Sequence, residues 1–320
     1  LYYGWSNGVF LFGSELKALQ AYKNFNNIVD RNALSLYMQY MYVPSPYSIF
    51  KDVYKLDPGC ILQIDNDGIN KPPSRIMSSA FCAKGVSIKQ WYSLSNIAEK
   101  SQHNLIKDKH ESVELLEKAL TESIQSQLIS DVSLGAFLSG GIDSSIIVSL
   151  MQSISMNPVK TFTIGFEDSL FNEAIYAKDV AKHLGTEHHE LYVTASDAIR
   201  VIPDLPILYD EPFADSSQIP TYLVSKLARE NVTVSLSGDG GDELFGGYNR
   251  YLWGERVWSK LKWMPPVVRQ TLGAIIQKLP VSTLDTVGHL LPNRYKVTTM
   301  GDKAHRMAHR LNIVNTIDDM

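Results

Sequence analysis

The sequence predicts an α/β fold: a parallel sheet with helices on both faces, preceded by a β-rich region. Three observations predict it. From about residue 108 to residue 236, short apolar runs alternate with stretches of helical periodicity, the pattern of parallel strands covered on both faces. One of those runs, 134–138, stops at Ser139-Gly140-Gly141 and gives way to a helical pattern, which places a glycine turn at the carboxyl end of a strand. Upstream, residues 1–64 hold short paired runs bounded by turn residues, as antiparallel strands do.

Taken in order, residues 1–13 predict a hairpin. LYYGW and VFLFG flank a turn at Ser6-Asn7-Gly8, and a short helical piece follows around residues 15–19. Residues 31–42 predict a helix broken by Val43-Pro44-Ser45-Pro46, since the residue before a proline avoids helical geometry. Residues 49–54 and 61–64 are expected to pair across a turn at Asp57-Pro58-Gly59, and 65–68 is expected to be a turn. Residues 69–90 are polar and irregular, contain Pro72-Pro73, and read as a linker. The domain division expected is 1–70, a linker at 71–100, and 101–320.

A long amphipathic helix is predicted over 108–129, with Val113, Leu116, Leu120, Ile124 and Leu128 on one face. After the glycine turn, Ile142, Ile146, Ile147, Leu150 and Met151 share a helical face. A strand follows at 161–166. A helix over 172–184 has Ala177, Val180, Ala181 and Leu184 inward and Gly185 as its stop. Then come a strand at 188–193, helices near 196 and over 217–229, and a strand at 232–236. The last residues show no clear closing element.

The turn at 139–145, SGGIDSS, has a physical use. Adjacent glycines let backbone approach a ligand, and the N-terminus of the following helix favours an anion. Ser139, Ser144 and Ser145 add hydroxyl donors, so the turn forms a phosphate cradle. It lacks the lysine of the GxxxxGK[ST] loop. Asp143 stands at its mouth, and a carboxylate beside a polyphosphate needs an intervening cation, here Mg²⁺.

The strand at 232–236 runs into LSGDGGDELFGGYNRY, a second Ser-Gly turn at Ser237-Gly238 followed by Asp239, Asp242 and Glu243. Asp242 reads as a second Mg²⁺ ligand facing Asp143. Asp239 reads as a contact for a substrate ammonium or a proton-transfer group. The alternative is a solvated acidic turn capping a helix. Ile164 and Gly165 reach the end of another strand, where they suit either an adenine ring or the core. Ser216 and Ser217 are either an N-cap pair or contacts to a small polar substrate. His188 and His189 alternate along a strand and face opposite ways.

Composition narrows the class. The chain has 320 residues, 44% hydrophobic and 20% charged, an ordinary globular balance with room for about two domains. A net charge of −4 gives no electrostatic case for a nucleic-acid partner. No apolar run reaches the ~18 residues of a membrane span. Cys60 and Cys82 match no metal spacing or disulfide framework, which suits a reduced cytoplasm.

Four stretches together resemble the glutamine-dependent asparagine synthetases: SGGIDSS; TFTIGF with NEAIYAKDVAKHLGTEHHE; DEPFADSSQIPTYLVSKLA; and LSGDGGDELFGGYNRY. The first also looks like the pyrophosphate loop of the ATP pyrophosphatases. LYYGW…FGSELKAL and KLDPGCIL resemble the end of the family's glutaminase domain. The resemblance implies an adenine nucleotide α-hydrolase-like fold. Leu138, Ile164, Ser237 and Gly238 would hold adenosine. Ser139, Gly140, Gly141, Asp143, Ser144 and Ser145 would hold pyrophosphate. Asp143 and Asp242 would bind Mg²⁺, and Ser216, Ser217 and Asp239 would meet the acceptor. It implies ATP, an aspartate-like carboxylate and glutamine-derived ammonia as substrates, with a homodimer as one assembly. Well-known members carry Glu at the position of Asp239, and relatives tied to surface-polysaccharide clusters share the Asp. The family's N-terminal Cys nucleophile and late catalytic Lys match no residue here, so the chain is expected to be an internal piece of a longer enzyme. β-Lactam synthetases share the adenylation step with an internal amine as acceptor, and a non-catalytic nucleotide binder is a third reading.

Overall fold

The structure is a computed structural model that describes residues 1–70, 81–83, 85–167, 172–290 and 300–314. The chain forms two compact units, Leu1–Gly238 and Asp239–Met320.

The first unit opens with the predicted hairpin. β1 (Tyr2–Ser6) and β2 (Val9–Gly13) pair antiparallel from Tyr2–Gly13 to Ser6–Val9. Asn7 and Gly8 both take positive φ, 50° and 79°, as a two-residue turn matched to strand twist requires. Two helices follow, α1 (Leu16–Gln20) and α2 (Arg31–Tyr40). The second starts at Asp30, whose carboxylate accepts the Asn32 N–H, and stops at Met41 in left-handed geometry. Next come β3 (Val53–Lys55), β4 (Cys60–Ile64), α3 (Asn66–Asn70), β5 (Cys82–Ala83) and β6 (Val86–Gln90).

Here the structure corrects the sequence reading. The expected pairing of 49–54 with 61–64 does not form: β3 joins the free edge of β1, and β4 joins β6. Gly4 permits the first arrangement, because a Cβ there would lie 2.2 Å from the Asp52 carbonyl oxygen. The second buries Val86 and Ile88 with Tyr3, Trp5 and Phe81 between the two small sheets. Residues 86–90, read as irregular, are therefore a strand with alternating burial. The expected turn at 65–68 is instead the start of α3, capped by the Asp65 carboxylate, which accepts the Asp67 and Gly68 N–H groups at 2.9 and 3.0 Å. Trp5 Nε1 donates to the carbonyls of Gly68 and Ile69, both at 3.1 Å. Pro72-Pro73 and the rest of 71–80 lie outside the described residues.

After α4 (Leu94–Ser101) and α5 (Lys109–Gln127) the chain alternates: β7 (Leu134–Phe137), α6 (Ile142–Ile154), β8 (Lys160–Phe166), α7 (Ala174–Leu184), β9 (Glu187–Val193), α8 (Ala195–Val201), α9 (Leu205–Leu208), α10 (Gln218–Arg229) and β10 (Val234–Leu236). The four strands form one parallel sheet in the order β10-β7-β8-β9. Both faces are covered. Ala136 and Leu138 pack with Ile124 of α5, Val148 and Met151 of α6, and Ala177 and Ala181 of α7. On the other face Phe162 packs with Ala228 of α10 and Val232, and Val193 packs with Val201 of α8 and Leu223 of α10. Gly185 ends α7 at φ 72°.

One predicted face holds in part: Ile147, Leu150 and Met151 pack on the core, and Ile142 and Ile146 do not. Val148 and Met151 are the buried apolar residues of α6, whereas Ile142 is 79% exposed. Helix α6 turns Val148 to the sheet, so Ile142 and Ile146 line a groove of about 820 Å³ with Val113, Leu116 and Leu120 of α5.

The second unit is helical: α11 (Gly241–Phe245), α12 (Asn249–Leu261), α13 (Pro266–Lys278), α14 (Val281–Leu290) and α15 (Met300–Ile313). Arg269 is buried, donates through Nη1 to the Val314 carbonyl at 3.0 Å, and lies 5.4 Å from the Trp258 ring. Helix α15, not legible in the sequence, buries Ala308 and Leu311.

Candidate functional site: two Ser-Gly turns at a switch point

The sheet order locates the site. From β7 the chain builds outward through β8 and β9, then returns to the other side of β7 as β10. The direction of winding therefore reverses between β7 and β10, and open parallel sheets bind ligands beyond the carboxyl ends of the strands at such a point. Both strands end there in Leu-Ser-Gly, at 138–140 and 236–238.

The first turn is held by its own hydroxyls. The Ser139 N–H donates to Ser144 Oγ at 3.2 Å, the two hydroxyls are 3.0 Å apart, and the Gly141 N–H donates to Ser139 Oγ at 3.3 Å. Gly140 takes φ 78°, and a Cβ there would lie 2.6 Å from the Ala177 nitrogen. Gly141 is the N-cap of α6 and no side chain caps it. The first-turn N–H groups of α6 thus lack intrahelical partners, and the helix dipole favours an anion before them. Asp143 is half-buried in that turn. Ser145 Oγ is buried with no protein partner, a polar orphan that a ligand oxygen would satisfy.

The second turn abuts the first. A Cβ on Gly238 would lie 2.8 Å from the Ser144 nitrogen and 2.9 Å from the Asp143 carbonyl carbon. Gly238 therefore packs its backbone directly on the opening turn of α6. The structure brings together Ser139, Gly140, Gly141, Asp143, Ser144, Ser145, Ser237 and Gly238. Leu138 is 1% exposed and sits in the core, leaving only its backbone to meet a ligand. Ile164 lies near the end of β8 and packs on the Val193–Leu223 cluster.

Ser216 and Ser217 precede α10, and the capping alternative for them fails. Ser217 occupies the N-cap position without a side-chain cap bond. Instead the Asp215 carboxylate accepts the Ser217 N–H at 2.8 Å. That N–H, and then the Ser217 hydroxyl, hold the Asp215 carboxyl below its ordinary range. Asp215 was missed as a positioning group, although Asp two residues before Ser is an Asx-turn signal.

Asp239 and Asp242 belong to the second unit. Gly240, at φ 90°, is the N-cap of the five-residue α11, and the Gly247 N–H donates to the Asp242 carbonyl at 3.0 Å. Glu243 accepts the Tyr248 hydroxyl at 2.7 Å. His188 and His189 face opposite ways as expected. His188 Nδ1 is 2.9 Å from Thr161 Oγ1, while the His189 ring stacks on Phe162. Burial pushes the His188 pKa down. Among the described residues no group of three or more His, Cys, Asp or Glu side chains is placed to hold a metal. No helix among them is long and apolar enough to cross a membrane.

Residues 115–313 match the asparagine synthase family model, and residues 1–74 match a glutamine amidotransferase domain model. The chain belongs to the asparagine synthase family. Every residue of both Ser-Gly turns falls within the asparagine synthase match. The chain is 37% identical over 283 residues to a putative asparagine synthetase [glutamine-hydrolyzing] of Methanocaldococcus jannaschii, covering 88% of this chain and 50% of the relative. It is 35% identical over 252 residues to asparagine synthetase [glutamine-hydrolyzing] 1 of Bacillus subtilis, covering 78% of this chain and 36% of the relative. The chain thus spans about half or less of the length of these curated relatives. A solved NH3-dependent NAD synthetase from Campylobacter jejuni aligns with 63% of this chain and 97% of its own at 13% identity, with a TM-score of 0.31, too slight a likeness to argue from.

Proposed function

We propose that the complete protein is a glutamine-dependent asparagine synthetase. An oxygen of an aspartate-like carboxylate attacks the α-phosphorus of ATP and the bond to pyrophosphate breaks. Ammonia derived from glutamine then attacks the acyl carbon and AMP leaves with the electron pair. The observation that carries this reading is the seat of Gly238 on Asp143 and Ser144, which joins the two Ser-Gly turns at the switch point of the sheet.

The roles follow from place. Ser139, Gly140, Gly141, Ser144 and Ser145 offer hydroxyls and backbone N–H groups to the β- and γ-phosphates, so charge developing on departing pyrophosphate is met by fixed donors. Leu138, Ile164, Ser237 and Gly238 flank the adenosine. Ser216, positioned beside the Asp215-bound Ser217, contacts the acceptor, and Asp239 meets its ammonium. Asp143 and Asp242 would hold Mg²⁺, a hard cation that commonly takes one or two carboxylates plus phosphate oxygens and would supply charge neutralisation to the polyphosphate. The half-buried Asp143 and the orphaned Ser145 hydroxyl suit such a ligand set. Residues 1–70, together with the strand at 86–90 that pairs with them, form the end of the glutaminase-type domain, and 101–320 the synthetase domain. The setting is a reduced cytoplasm, with Cys60 and Cys82 as free thiols, and the enzyme works as a homodimer. The names of the relatives favour this acceptor chemistry over ring closure. Asp at position 239 keeps a second carboxylate acceptor, of the surface-polysaccharide type, as a substrate to assay.

The test is carboxylate-dependent exchange of labelled pyrophosphate into ATP by the complete protein. Exchange is expected, and Asp143→Ala is expected to lower it by at least about 10²-fold. A wild type that binds ATP without exchange is a nucleotide-binding protein instead. Undiminished exchange in Asp143→Ala removes that residue from the mechanism.

A further inference from the structure

Two carboxylates of the first unit have no place in the chemistry above. Asp210 and Glu211 lie just before the segment that carries Ser216 and Ser217, yet both turn to the N-terminal region. Asp210 Oδ2 accepts the Leu16 N–H at 2.6 Å and Oδ1 the Lys17 N–H at 3.3 Å. Those donors open α1, whose own N-cap residue Glu15 makes no cap bond. Asp210 therefore caps a helix from the far side of the sequence, satisfying orphan N–H groups that a local Ser or Asp ordinarily serves. The Lys17 ammonium adds an ion pair to Asp210 at 3.6 Å.

Glu211 goes deeper, its side chain 8% exposed. A carboxylate so buried must be paired. Its Oε1 accepts the Ile49 N–H at 2.7 Å, its Oε2 accepts the Tyr2 hydroxyl at 3.3 Å, and the Lys55 ammonium forms an ion pair with Oε2. Lys55 also donates to the Val43 carbonyl at 2.5 Å, and the Ala214 N–H donates to the Met41 carbonyl at 2.9 Å. Burial, and then the Glu211 carboxylate, raise the Tyr2 phenol above its ordinary pKa, which keeps it a donor. From 210 to 214 the chain is thus tied to five separate places in residues 2–55, at Tyr2, Leu16-Lys17, Met41, Ile49 and Lys55, and its next stop is the acceptor segment.

We propose that Asp210 and Glu211 are positioning residues that moor the acceptor segment 213–217 on the amidotransferase-type region, so that removing the moor weakens acceptor binding and uncouples glutamine use from amide formation. This rests on the assignment of Ser216 and Ser217 to the acceptor. Lys55 is the most telling probe, because it belongs to the N-terminal region and to neither nucleotide turn.

The experiment uses the complete protein, with either ammonia or glutamine as nitrogen source. Lys55→Met and Glu211→Gln are expected to raise the KM for the carboxylate about tenfold or more in the ammonia reaction. The KM for ATP should stay unchanged, and the ratio of glutamate released to amide formed should rise above that of wild type. Lys55→Arg, which keeps the charge, should restore both values, and Tyr2→Phe, which removes one hydrogen bond, should show a smaller shift in the same direction. Should Lys55→Met fail to fold, Tyr2→Phe and Asp210→Asn carry the same comparison. Unchanged carboxylate KM and unchanged glutamate-to-amide ratio would overturn the proposal, as would an equal rise in the KM for ATP, which marks general loosening. If the wild type makes no amide from ammonia, the functional reading itself has failed, an outcome distinct from active wild type with indifferent variants.

Discussion

The two Ser-Gly turns end neighbouring parallel strands with the same three residues, yet they are fixed by different forces. The turn after β7 is wedged: Gly140 lies under α7, and Ser139 and Ser144 lock it from within. The 13-residue α6 that follows is anchored by Val148 and Met151 in the core. The turn after β10 leans on the first through Gly238, and further along the Gly247 N–H donates to the Asp242 carbonyl and the Tyr248 hydroxyl to Glu243. Gly240 holds φ 90°, has none of the described residues within 4 Å of its would-be Cβ, and leads into only five residues of α11. The same Leu-Ser-Gly thus leads into a wedged turn and a 13-residue helix in one place, and into a left-handed Gly240 and a five-residue helix in the other.

Substitutions sharpen the contrast. Gly140→Ala meets both a steric wall and a left-handed φ, so it should cost about 2–5 kcal/mol of stability, summing backbone strain and overpacking. It should also abolish pyrophosphate exchange; denaturant titration and the exchange assay read both. Gly238→Ala places a methyl group on the Asp143–Ser144 backbone and should cost about 1–3 kcal/mol, with nucleotide affinity falling more than stability. Gly240→Ala meets open space and bears only the left-handed penalty, about 1–2 kcal/mol. A larger loss at Gly240 than at Gly140 would invert the comparison.

Much of this was legible because the signals are local. The Leu134–Leu138 run, the glycine stop at Gly185 and the Asn7-Gly8 turn act within a few residues, and each appears where the sequence places it. What was not legible depends on distant partners. Nothing within 49–64 says that β3 will choose β1 and that β4 will choose β6. Val86 and Ile88 alternate within a stretch too short and polar to read as a strand until Tyr3 and Trp5 cover them. On α6 the inward placing of Ile147, Leu150 and Met151 was legible, but helical spacing cannot rank Ile142 against Val148 without the sheet. The roles of Asp210 and Glu211 were not legible, since their partners lie between residues 2 and 55. At the site, the Ser-Gly turns were readable as motifs, but the contact of Gly238 with α6 required the return of β10 to the other side of β7.

The most direct measurement is the position of bound nucleotide in a crystal structure of the complete protein with a non-hydrolysable ATP analogue and Mg²⁺. The account expects the β- and γ-phosphates on the N–H groups of 139–145, with the adenosine between Ile164 and Ser237-Gly238. Phosphates seated elsewhere, with both Ser-Gly turns untouched, would contradict it.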